Sequence, residues 1–255
     1  MAVKKNVIIS AKNLKKEFNM GETKQTIFED LNLNIYKGDF TVIMGSSGAG
    51  KSTLMYSLSG MDRPTDGSIV FADKEITKYN DDQLAIFRRK NCGFVFQQIY
   101  LLEKMSLMDN VLTAGVLCES DKRAVVKRAR ELFELVNIPE ITQKKFSTQV
   151  SGGEAQRAGI VRAVINNPAV VFADEPTGAL NSHNSDAVLN VFTQLHKEGQ
   201  SIIMVTHDKK TALRGNRILY FKDGQIFGEC NLKDFSEADS EREKKLDDFL
   251  DEMGW

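Results

Sequence analysis

The chain has 255 residues, of which 42% are hydrophobic, and its 34 Lys and Arg against 35 Asp and Glu give a net charge of −1. This balance provides no positive field for nucleic acid, so no nucleic-acid partner is expected. No apolar run is long enough to cross a bilayer and the N-terminus lacks the apolar segment of a signal peptide, so we expect a cytosolic protein unless another component holds it at a membrane. Cys92, Cys118 and Cys230 form no CxxC pair, which favours reduced thiols without metal or disulfide.

The first structural signals in chain order lie between residues 31 and 44. Residues 31–35 alternate apolar and polar side chains, Lys37-Gly38 follows, and residues 40–44 are mostly apolar. Alternation with a period of two is typical of a strand, and a glycine between two such runs is typical of a turn. We therefore predict an antiparallel β-hairpin whose second strand leads into the next motif.

Residues 45–53 carry the most informative motif. They fit the phosphate-binding P-loop pattern and lie between a predicted strand and a predicted helix over 52–59, as that motif requires. Its glycines let backbone N–H groups converge on phosphate oxygens, Lys51 reaches the β and γ phosphates, and the Ser52 hydroxyl binds Mg²⁺. The predicted nucleotide-binding residues are Gly45, Ser46, Ser47, Gly48, Ala49, Gly50, Lys51, Ser52 and Thr53.

Four short apolar runs are each followed by a residue suited to this chemistry. Runs this short, separated by helical patterns, are typical of strands buried on both faces, and open α/β sheets bind ligands at the carboxyl ends of their strands. We expect these ends to share one edge of a sheet. The runs are 40–44, 92–96, 169–173 and 201–206, and they end at Gly45, Gln97, Asp174-Glu175 and His207.

The pair Asp174 and Glu175 is predicted to complete the phosphate site. An Asp at the end of an apolar strand in a P-loop protein usually holds Mg²⁺, and the following carboxylate is placed to polarise the attacking water. The alternative is a strand-end turn leading into Pro176. His207 is predicted to donate to the γ-phosphate, the alternative being a histidine satisfied at a strand end.

A helical insertion is predicted from about residue 98 or 106 to 167. Its helical periodicity is carried by Val125, Ala129, Leu132, Phe133 and Val136. The interspersed basic residues are interpreted as a solvated helix face rather than a nucleic-acid surface.

A second glycine-containing segment, 151–157, opens another helix within this insertion. Ser151 and Glu154 have the spacing of a capping box, which is a purely structural explanation. Gly152 and Gly153 also make an anion site at a helix N-terminus, which a capping box alone does not require. Both interpretations stay open at this point.

In order and spacing, these motifs resemble the ATP-binding subunits of ABC transporters from about residue 7 to 228. The nearer likeness is to the MacB, LolD and FtsE group and the bacitracin-resistance-type ATPases, carried by residues 93–97 and 172–180. The resemblance implies an α/β P-loop NTPase with a RecA-like core, an antiparallel β subdomain and an inserted α-helical subdomain. The domains are then 1–232, the ATPase, and 233–255, an acidic C-terminal extension.

The resemblance also implies residue roles. Glu175, His207 and Gln97 are catalytic, and Mg²⁺ is held by Ser52, Gln97 and Asp174. Phe18 resembles the aromatic residue that stacks on adenine, its alternative being a buried strand phenylalanine. The residues that bind the ATP held by the opposite subunit of a homodimer are Ser151, Gly152, Gly153 and Glu154.

The segment Tyr100-Leu101-Leu102, with Met105, is implied to border the groove that receives a permease helix. Internal packing of the insertion is the alternative. Asn181 departs from the family, which usually has Asp at this position in the loop that signals between subunits; the amide keeps the hydrogen bonding and loses the charge. We expect weakened communication between the two ATP sites.

The C-terminal extension carries Leu246, Phe249, Leu250 and Met253 at helical spacing. We expect it to dock on the ATPase body or to bind a partner.

The resulting hypothesis is an ATPase subunit that dimerises on two MgATP and drives a separately encoded permease from the cytoplasmic side of the membrane. Peptide, drug or lipid-linked antibiotic handling is the expected context. Two alternatives remain: a regulatory or force-transmitting ABC ATPase without net transport, and a soluble ABC ATPase of DNA repair or ribosome function.

Overall fold

A computed structural model describes residues 5–21 and 23–255. Its contacts divide the chain into two compact units: unit 1 comprises the residues up to Ala85 together with Gly199–Trp255, and unit 2 is Ile86–Glu198. The described residues form ten strands: β1 (Val7–Met20), β2 (Thr23–Tyr36), β3 (Phe40–Met44), β4 (Asp66–Phe71), β5 (Lys74–Glu75), β6 (Cys92–Phe96), β7 (Val170–Asp174), β8 (Ser201–Val205), β9 (Arg217–Lys222) and β10 (Gln225–Asn231).

Nine α-helices, several of them short, occur in the same described residues. None of them is long and apolar enough to span a bilayer. They are α1 (Lys51–Leu58), α2 (Asp81–Asn91), α3 (Leu107–Gly115), α4 (Lys122–Leu135), α5 (Glu140–Gln143), α6 (Gly152–Val164), α7 (Ser182–Lys197), α8 (Lys209–Ala212) and α9 (Glu241–Met253).

Unit 1 contains two sets of strands. One is an antiparallel sheet in the order β2-β1-β4-β5, whose β2 alternates exposed and buried residues as expected for a strand with one face on the core. The other has the order β10-β9-β3-β8, with β3 parallel to both β8 and β9. All residues of β3 and β8 are buried, which is typical of parallel strands covered on both faces.

The predicted hairpin between residues 31–35 and 40–44 is wrong. Both segments are strands, but β2 pairs antiparallel with β1, while β3 lies between β8 and β9 in the other set. The reason is that both edges of β3 are used by parallel partners, so no edge is left for β2. The Lys37-Gly38 turn, with Gly38 at φ +80°, therefore carries the chain from one sheet to the other.

Unit 2 combines a two-stranded parallel pair with helices. Strands β6 and β7 run in register from Cys92 opposite Val170 to Phe96 opposite Asp174. Helix α4 confirms the predicted periodicity, because the apolar residues named for it are buried and its basic residues lie mostly on the exposed face. The strands predicted at 92–96, 169–173 and 201–206 are present within one residue at each end.

The C-terminal extension forms helix α9, which packs within unit 1 against β10. Leu246, Phe249 and Leu250 are buried and Met253 is half-buried. The extension therefore docks on the body of its own chain, which is the first of the two expected arrangements.

Candidate functional site

The P-loop in unit 1 joins β3 to α1, and its shape requires glycine. Gly45 has φ +150°, and a Cβ built on it would lie 2.1 Å from the carbonyl oxygen of Phe221 in β9. Gly50 has φ +96°, and a Cβ there would lie 2.4 Å from Ile27 Cγ2. Any side chain at these positions would clash with its neighbours and strain the backbone. The loop is therefore pressed against β2 and β9, and its outer residues Ser46, Ser47 and Gly48 are exposed.

Lys51 is the first residue of α1 and is only 5% exposed. Its Nζ donates to the carbonyl oxygens of Gly45 at 2.8 Å and Ser46 at 2.7 Å. A buried ammonium requires such partners. The lysine is thereby held across the loop, where its charge adds to the positive end of the helix.

The start of α1 is formed by a glycine. Gly50 is the N-cap residue, and it brings no side-chain oxygen to the first turn. Helix N-termini with this property are suited to phosphate, because the backbone N–H groups and the helix dipole both favour an anion. The half-buried hydroxyls of Ser52 and Thr53 lie in this first turn.

Phe18 lies near the end of β1 and is 41% exposed. The alternative of a buried strand phenylalanine therefore does not apply. Lys16 Nζ lies 4.7 Å from the centroid of the Phe18 ring, a cation–π contact. The exposed ring is available for stacking, and its role with adenine stays a prediction.

His207 lies two residues after the end of β8 and is exposed. The next residue fixes the turn: Asp208 N donates to Thr206 Oγ1 at 3.0 Å, and Asp208 Oδ2 accepts from the backbone N–H and the hydroxyl of Thr211 at 2.7 and 2.6 Å. Asp208 thus caps α8, and His207 is placed between a buried strand and a capped helix.

In unit 2 the structure brings together the ends of β6 and β7. Because Phe96 and Asp174 are register partners, Gln97 and Glu175 follow from neighbouring strands. The Gln97 amide lies against Gly178, where a Cβ would be 2.9 Å from Gln97 Nε2. The predicted edge with Gln97, Asp174 and Glu175 is therefore present within this unit.

Glu175 is one of nine non-glycine residues with a positive φ among the described residues. Its φ is +44°, in the left-handed region that costs a non-glycine residue of the order of 1–2 kcal/mol. The carbonyl oxygen of Glu175 accepts from Gly178 N at 3.0 Å, which closes the turn after the strand. Strained residues of this kind occur preferentially at functional sites.

The start of α6 contains the predicted capping box. The Glu154 N–H donates to Ser151 Oγ at 3.3 Å, while Glu154 Oε2 accepts from the Ser151 N–H and hydroxyl, both at 2.8 Å. These hydrogen bonds, the backbone one first, hold the pKa of Glu154 below its usual value. The capping box is thus present, and the role of the same residues toward ATP stays a prediction.

The glycines of this segment lie against the start of α7. A Cβ on Gly153 would lie 2.7 Å from Asn184 Oδ1, and one on Gly152 would lie 3.2 Å from Leu180 Cδ2. Asn181 is the N-cap of α7, and its Oδ1 accepts from Asn184 N at 3.0 Å. A groove of about 830 Å³ beside these residues is lined in part by Ser151, Glu154, Arg157, His183 and Asn184.

The donor chemistry of the predicted residues fits MgATP. Mg²⁺ prefers oxygen ligands and is usually bound through one or two carboxylates plus the phosphates of the substrate. The Ser52 hydroxyl, the Gln97 amide oxygen and the Asp174 carboxylate are such ligands. Among the described residues no cluster of three or more His, Cys, Asp and Glu side chains could hold a metal alone.

Two contributors were missed by the sequence reasoning. Phe221 lies behind the P-loop glycine, and Arg162 donates to the carbonyl oxygens of Ile99 at 2.8 Å and Tyr100 at 2.6 Å, shaping the segment after Gln97. No local sequence pattern identifies either residue, because each contacts a segment that is 62 or more positions away along the chain.

The comparisons with known proteins agree with this geometry. The ABC transporter family matches residues 28–178. An uncharacterized ABC transporter ATP-binding protein from Methanocaldococcus jannaschii is 40% identical over 219 residues, which is 86% of this chain and 97% of that protein. The macrolide export ATP-binding/permease protein MacB of Aggregatibacter actinomycetemcomitans is 39% identical over 231 residues, or 91% of this chain. The chain spans only 36% of that MacB protein's length.

Solved structures give the same result for the fold. The dimeric, post-hydrolysis state of the ATP-binding cassette MJ0796 bound to ADP and Pi has a TM-score of 0.80 and 35% identity, and the match covers 89% of this chain and 100% of that one. CbiO1 from Clostridium perfringens, part of the ABC transporter complex cbiONQ, has a TM-score of 0.78 and 26% identity over 98% of both chains. The predicted fold class, a P-loop NTPase with mixed α/β content, is confirmed. The chain belongs to the ABC transporter family and is an ATP-binding cassette that hydrolyses ATP.

Proposed function

We propose that this chain is the ATPase subunit of an ABC transporter that forms a homodimer on two MgATP and drives a membrane permease of the MacB type. The observation that carries the catalytic part is the register of β6 and β7, which brings Gln97, Asp174 and Glu175 to one edge. The proposal divides into nucleotide binding, hydrolysis, dimerisation and coupling, each with its own residues.

Nucleotide binding is assigned to the P-loop, with Phe18 stacking on the adenine. Lys51 and the N–H groups at the start of α1 bind the phosphates, since a helix N-terminus with a glycine cap suits an anion. Ser52, Gln97 and Asp174 hold Mg²⁺, which when bound neutralises phosphate charge during transfer.

Hydrolysis is assigned to Glu175 as the residue that orients and polarises the attacking water. General-base assistance of this type contributes about 10²–10⁴ in rate. Glu175 directly follows Asp174 at the end of β7, next to Gln97 at the end of β6, and this placement supports its role with the attacking water. His207, exposed after β8, donates to the γ-phosphate.

Dimerisation is assigned to the start of α6. Ser151 and Gly153 contact the γ-phosphate of the ATP bound to the opposite subunit, Gly152 lies beside them in the first turn of α6, and Glu154 contributes by holding Ser151 in place. The dimeric state of the MJ0796 cassette supports two chains per assembly. A single chain should therefore hydrolyse ATP poorly.

Coupling is assigned to the segment after Gln97. Tyr100 is 65% exposed and Leu102 is 57% exposed, which argues against internal packing as their main role. The backbone around them is held firmly, because Asn110 bonds both the N–H and the carbonyl of Leu102 at 2.7 and 3.1 Å. Exposed apolar side chains on a fixed backbone suit the docking of a permease helix.

The partner and location are assigned with support from the relatives. The MacB proteins are named macrolide export ATP-binding/permease proteins, which supports a permease partner and, among the peptide, drug and lipid-linked antibiotic substrates proposed, a drug. The chain would then act at the cytoplasmic face of the membrane, held there by the permease.

The catalytic assignment is tested with Glu175→Gln. We expect turnover to fall about 10²-fold or more with ATP binding retained, because the amide keeps the shape of the side chain and loses the base. Glu134→Gln, an exposed carboxylate on α4 of the same unit, is the matched control and should turn over ATP normally. Full activity of Glu175→Gln would refute the assignment.

The coupling assignment is tested with the same variant as bait in detergent-solubilised membranes. A permease that co-purifies, and that is lost when Tyr100 and Leu102 are both changed to Ser, supports transport. Recovery of soluble proteins or nucleic acid alone, from a bait that dimerises on ATP, would favour a non-transport role.

A further inference from the structure

Helix α9 is tied to α8, the short helix that begins two residues after His207. Arg242 of α9 is 4% exposed, and its guanidinium donates to the carbonyl oxygens of Leu213, Gly215 and Lys233. Leu213 is the C-cap residue of α8. The buried arginine therefore holds the end of α8 through the Leu213 carbonyl and joins it to the chain at Gly215 and Lys233.

The start of α8 is held by two acidic side chains of α9. Lys209 Nζ lies 2.9 Å from Glu243 Oε1 and 2.7 Å from Asp247 Oδ1. The hydrogen bond with Asp247, and then that with Glu243, raises the pKa of Lys209 above its usual value, so the lysine stays charged throughout the physiological range. Both ends of α8 are thus connected to α9.

The surface on which α9 packs allows a close approach. Gly228 of β10 faces the helix, and a Cβ there would lie 2.5 Å from Met253 Sδ and 3.0 Å from Phe249. Trp255, the single tryptophan of the chain, meets the Tyr220 ring edge-on at 6.1 Å. A helix seated this closely cannot shift along the sheet without losing these contacts.

Helix α8 has only 4 residues. Helices this short are unstable alone in water, because nucleation costs more than the few hydrogen bonds return. The position of α8 must therefore come from tertiary contacts, and within unit 1 the contacts to α9 hold it at both ends. Asp208 joins His207 to α8, and the position of α8 therefore sets the position of His207.

We propose that α9 is a clamp on α8, and that Lys209 and Arg242 are positioning residues that set the place of His207 for ATP hydrolysis. This inference rests on the proposed role of His207. It gives the acidic C-terminal extension a function in the reaction beyond covering the sheet, and it predicts a defect in turnover rather than in nucleotide binding.

The test is Lys209→Glu in the full chain, with ATPase rates measured over a range of ATP concentrations. We expect kcat to fall about two- to fivefold with KM for ATP unchanged, the size expected from losing exposed ion pairs. Lys209→Arg should keep the wild-type rate. The double variant Lys209→Glu with Asp247→Lys should restore most of kcat, which a nonspecific structural defect would not do. Lys244→Glu, the same charge change at an exposed position of α9, is the matched control.

The outcomes separate the clamp from the proposed function. His207→Ala with strongly reduced turnover, together with Lys209→Glu at the wild-type kcat, overturns the clamp alone. A fall in kcat that the charge swap does not restore also overturns it. His207→Ala with full turnover removes the role of His207 and the clamp with it. A paired loss and restoration of kcat, with the midpoint of thermal unfolding unchanged, supports the clamp.

Discussion

Two helix starts in this molecule both contain glycine and are built in different ways. Helix α1 in unit 1 begins after Gly50, a residue with φ +96° and no side chain. Helix α6 in unit 2 begins after Ser151, whose hydroxyl accepts from the Glu154 N–H while the Glu154 carboxylate accepts in return. The first start brings no capping group of its own, and the second is capped by its own side chains.

The difference teaches what each start is suited to bind. A glycine cap leaves the positive end of the helix for an external anion, and Lys51 adds a charge beside it. A capping box satisfies its own N–H groups and places the Glu154 carboxylate there, so an approaching phosphate must share Ser151. We infer that the P-loop binds nucleotide tightly by itself and that the start of α6 makes a weaker contact that depends on the nucleotide already held by another chain.

The largest effect is expected from Gly45→Ala. The new Cβ would meet the Phe221 carbonyl oxygen at 2.1 Å at a φ of +150°, so we expect a loss of unfolding free energy on the order of 3 kcal/mol. Gly48→Ala is the matched control, because Gly48 also has a positive φ, +78°, but nothing lies within 4 Å of its Cβ position. Urea unfolding of both variants measures the difference. Equal stability of the two would show that β9 does not shape the loop.

The next largest effect is expected from Lys51→Ala. Removing a buried ammonium that bonds two loop carbonyls and is proposed to bind phosphate should weaken ATP binding about ten- to a hundredfold. Calorimetric titration with ATP measures it, with Lys24→Ala, an exposed lysine of β2, as control. Wild-type affinity in Lys51→Ala would break the contrast between the two helix starts.

A smaller effect is expected from Glu154→Gln. Glutamine keeps the capping box, so the unfolding free energy should change by no more than about 0.5 kcal/mol at neutral pH. Loss of the negative charge should lower the ATP concentration needed for dimerisation about two- to fivefold. Light scattering against ATP concentration measures this, and a higher concentration requirement would contradict the inference drawn for α6.

The same residue predicts a pH dependence. Since the folded pKa of Glu154 lies below its usual value, its contribution to stability is complete above the ordinary glutamate range and is lost as pH falls through the folded pKa. The Glu154→Gln variant should therefore lose less of its unfolding free energy than the wild type as the pH falls. Urea unfolding at a series of pH values measures this difference.

The smallest effect is expected from Asn181→Asp. Both side chains can accept from Asn184 N, so the cap of α7 should be kept, with a gain of about 0.3–1 kcal/mol from a charge at the helix N-terminus. If the amide weakens communication between sites, the Asp variant should raise the Hill coefficient for ATP hydrolysis. An unchanged rate and unchanged cooperativity would show that the substitution is neutral.

Much of the fold and the candidate site follows from local sequence patterns. The strands before Gln97, Glu175 and His207 were predicted within one residue, because short apolar runs bounded by polar residues have few other structures open to them. The capping box at Ser151 was one of two interpretations of the Ser151–Glu154 spacing, and the structure contains it. The contact between the Phe221 carbonyl and Gly45 could not be predicted, because no local pattern shows which distant strand lies against a loop.

The sequence by itself determined the class of ligand, the residues at each strand end and the positions of α1, α4, α6 and α9, because spacing and residue type carry that information locally. The tertiary structure decided which strand edges pair, moving β2 and β3 into different sheets, and it placed α9 on β10 and against α8. It also set Glu175 in the left-handed region. The physical reason is that pairing and packing are competitions among distant segments for the same edge or surface, and the winner depends on the whole chain.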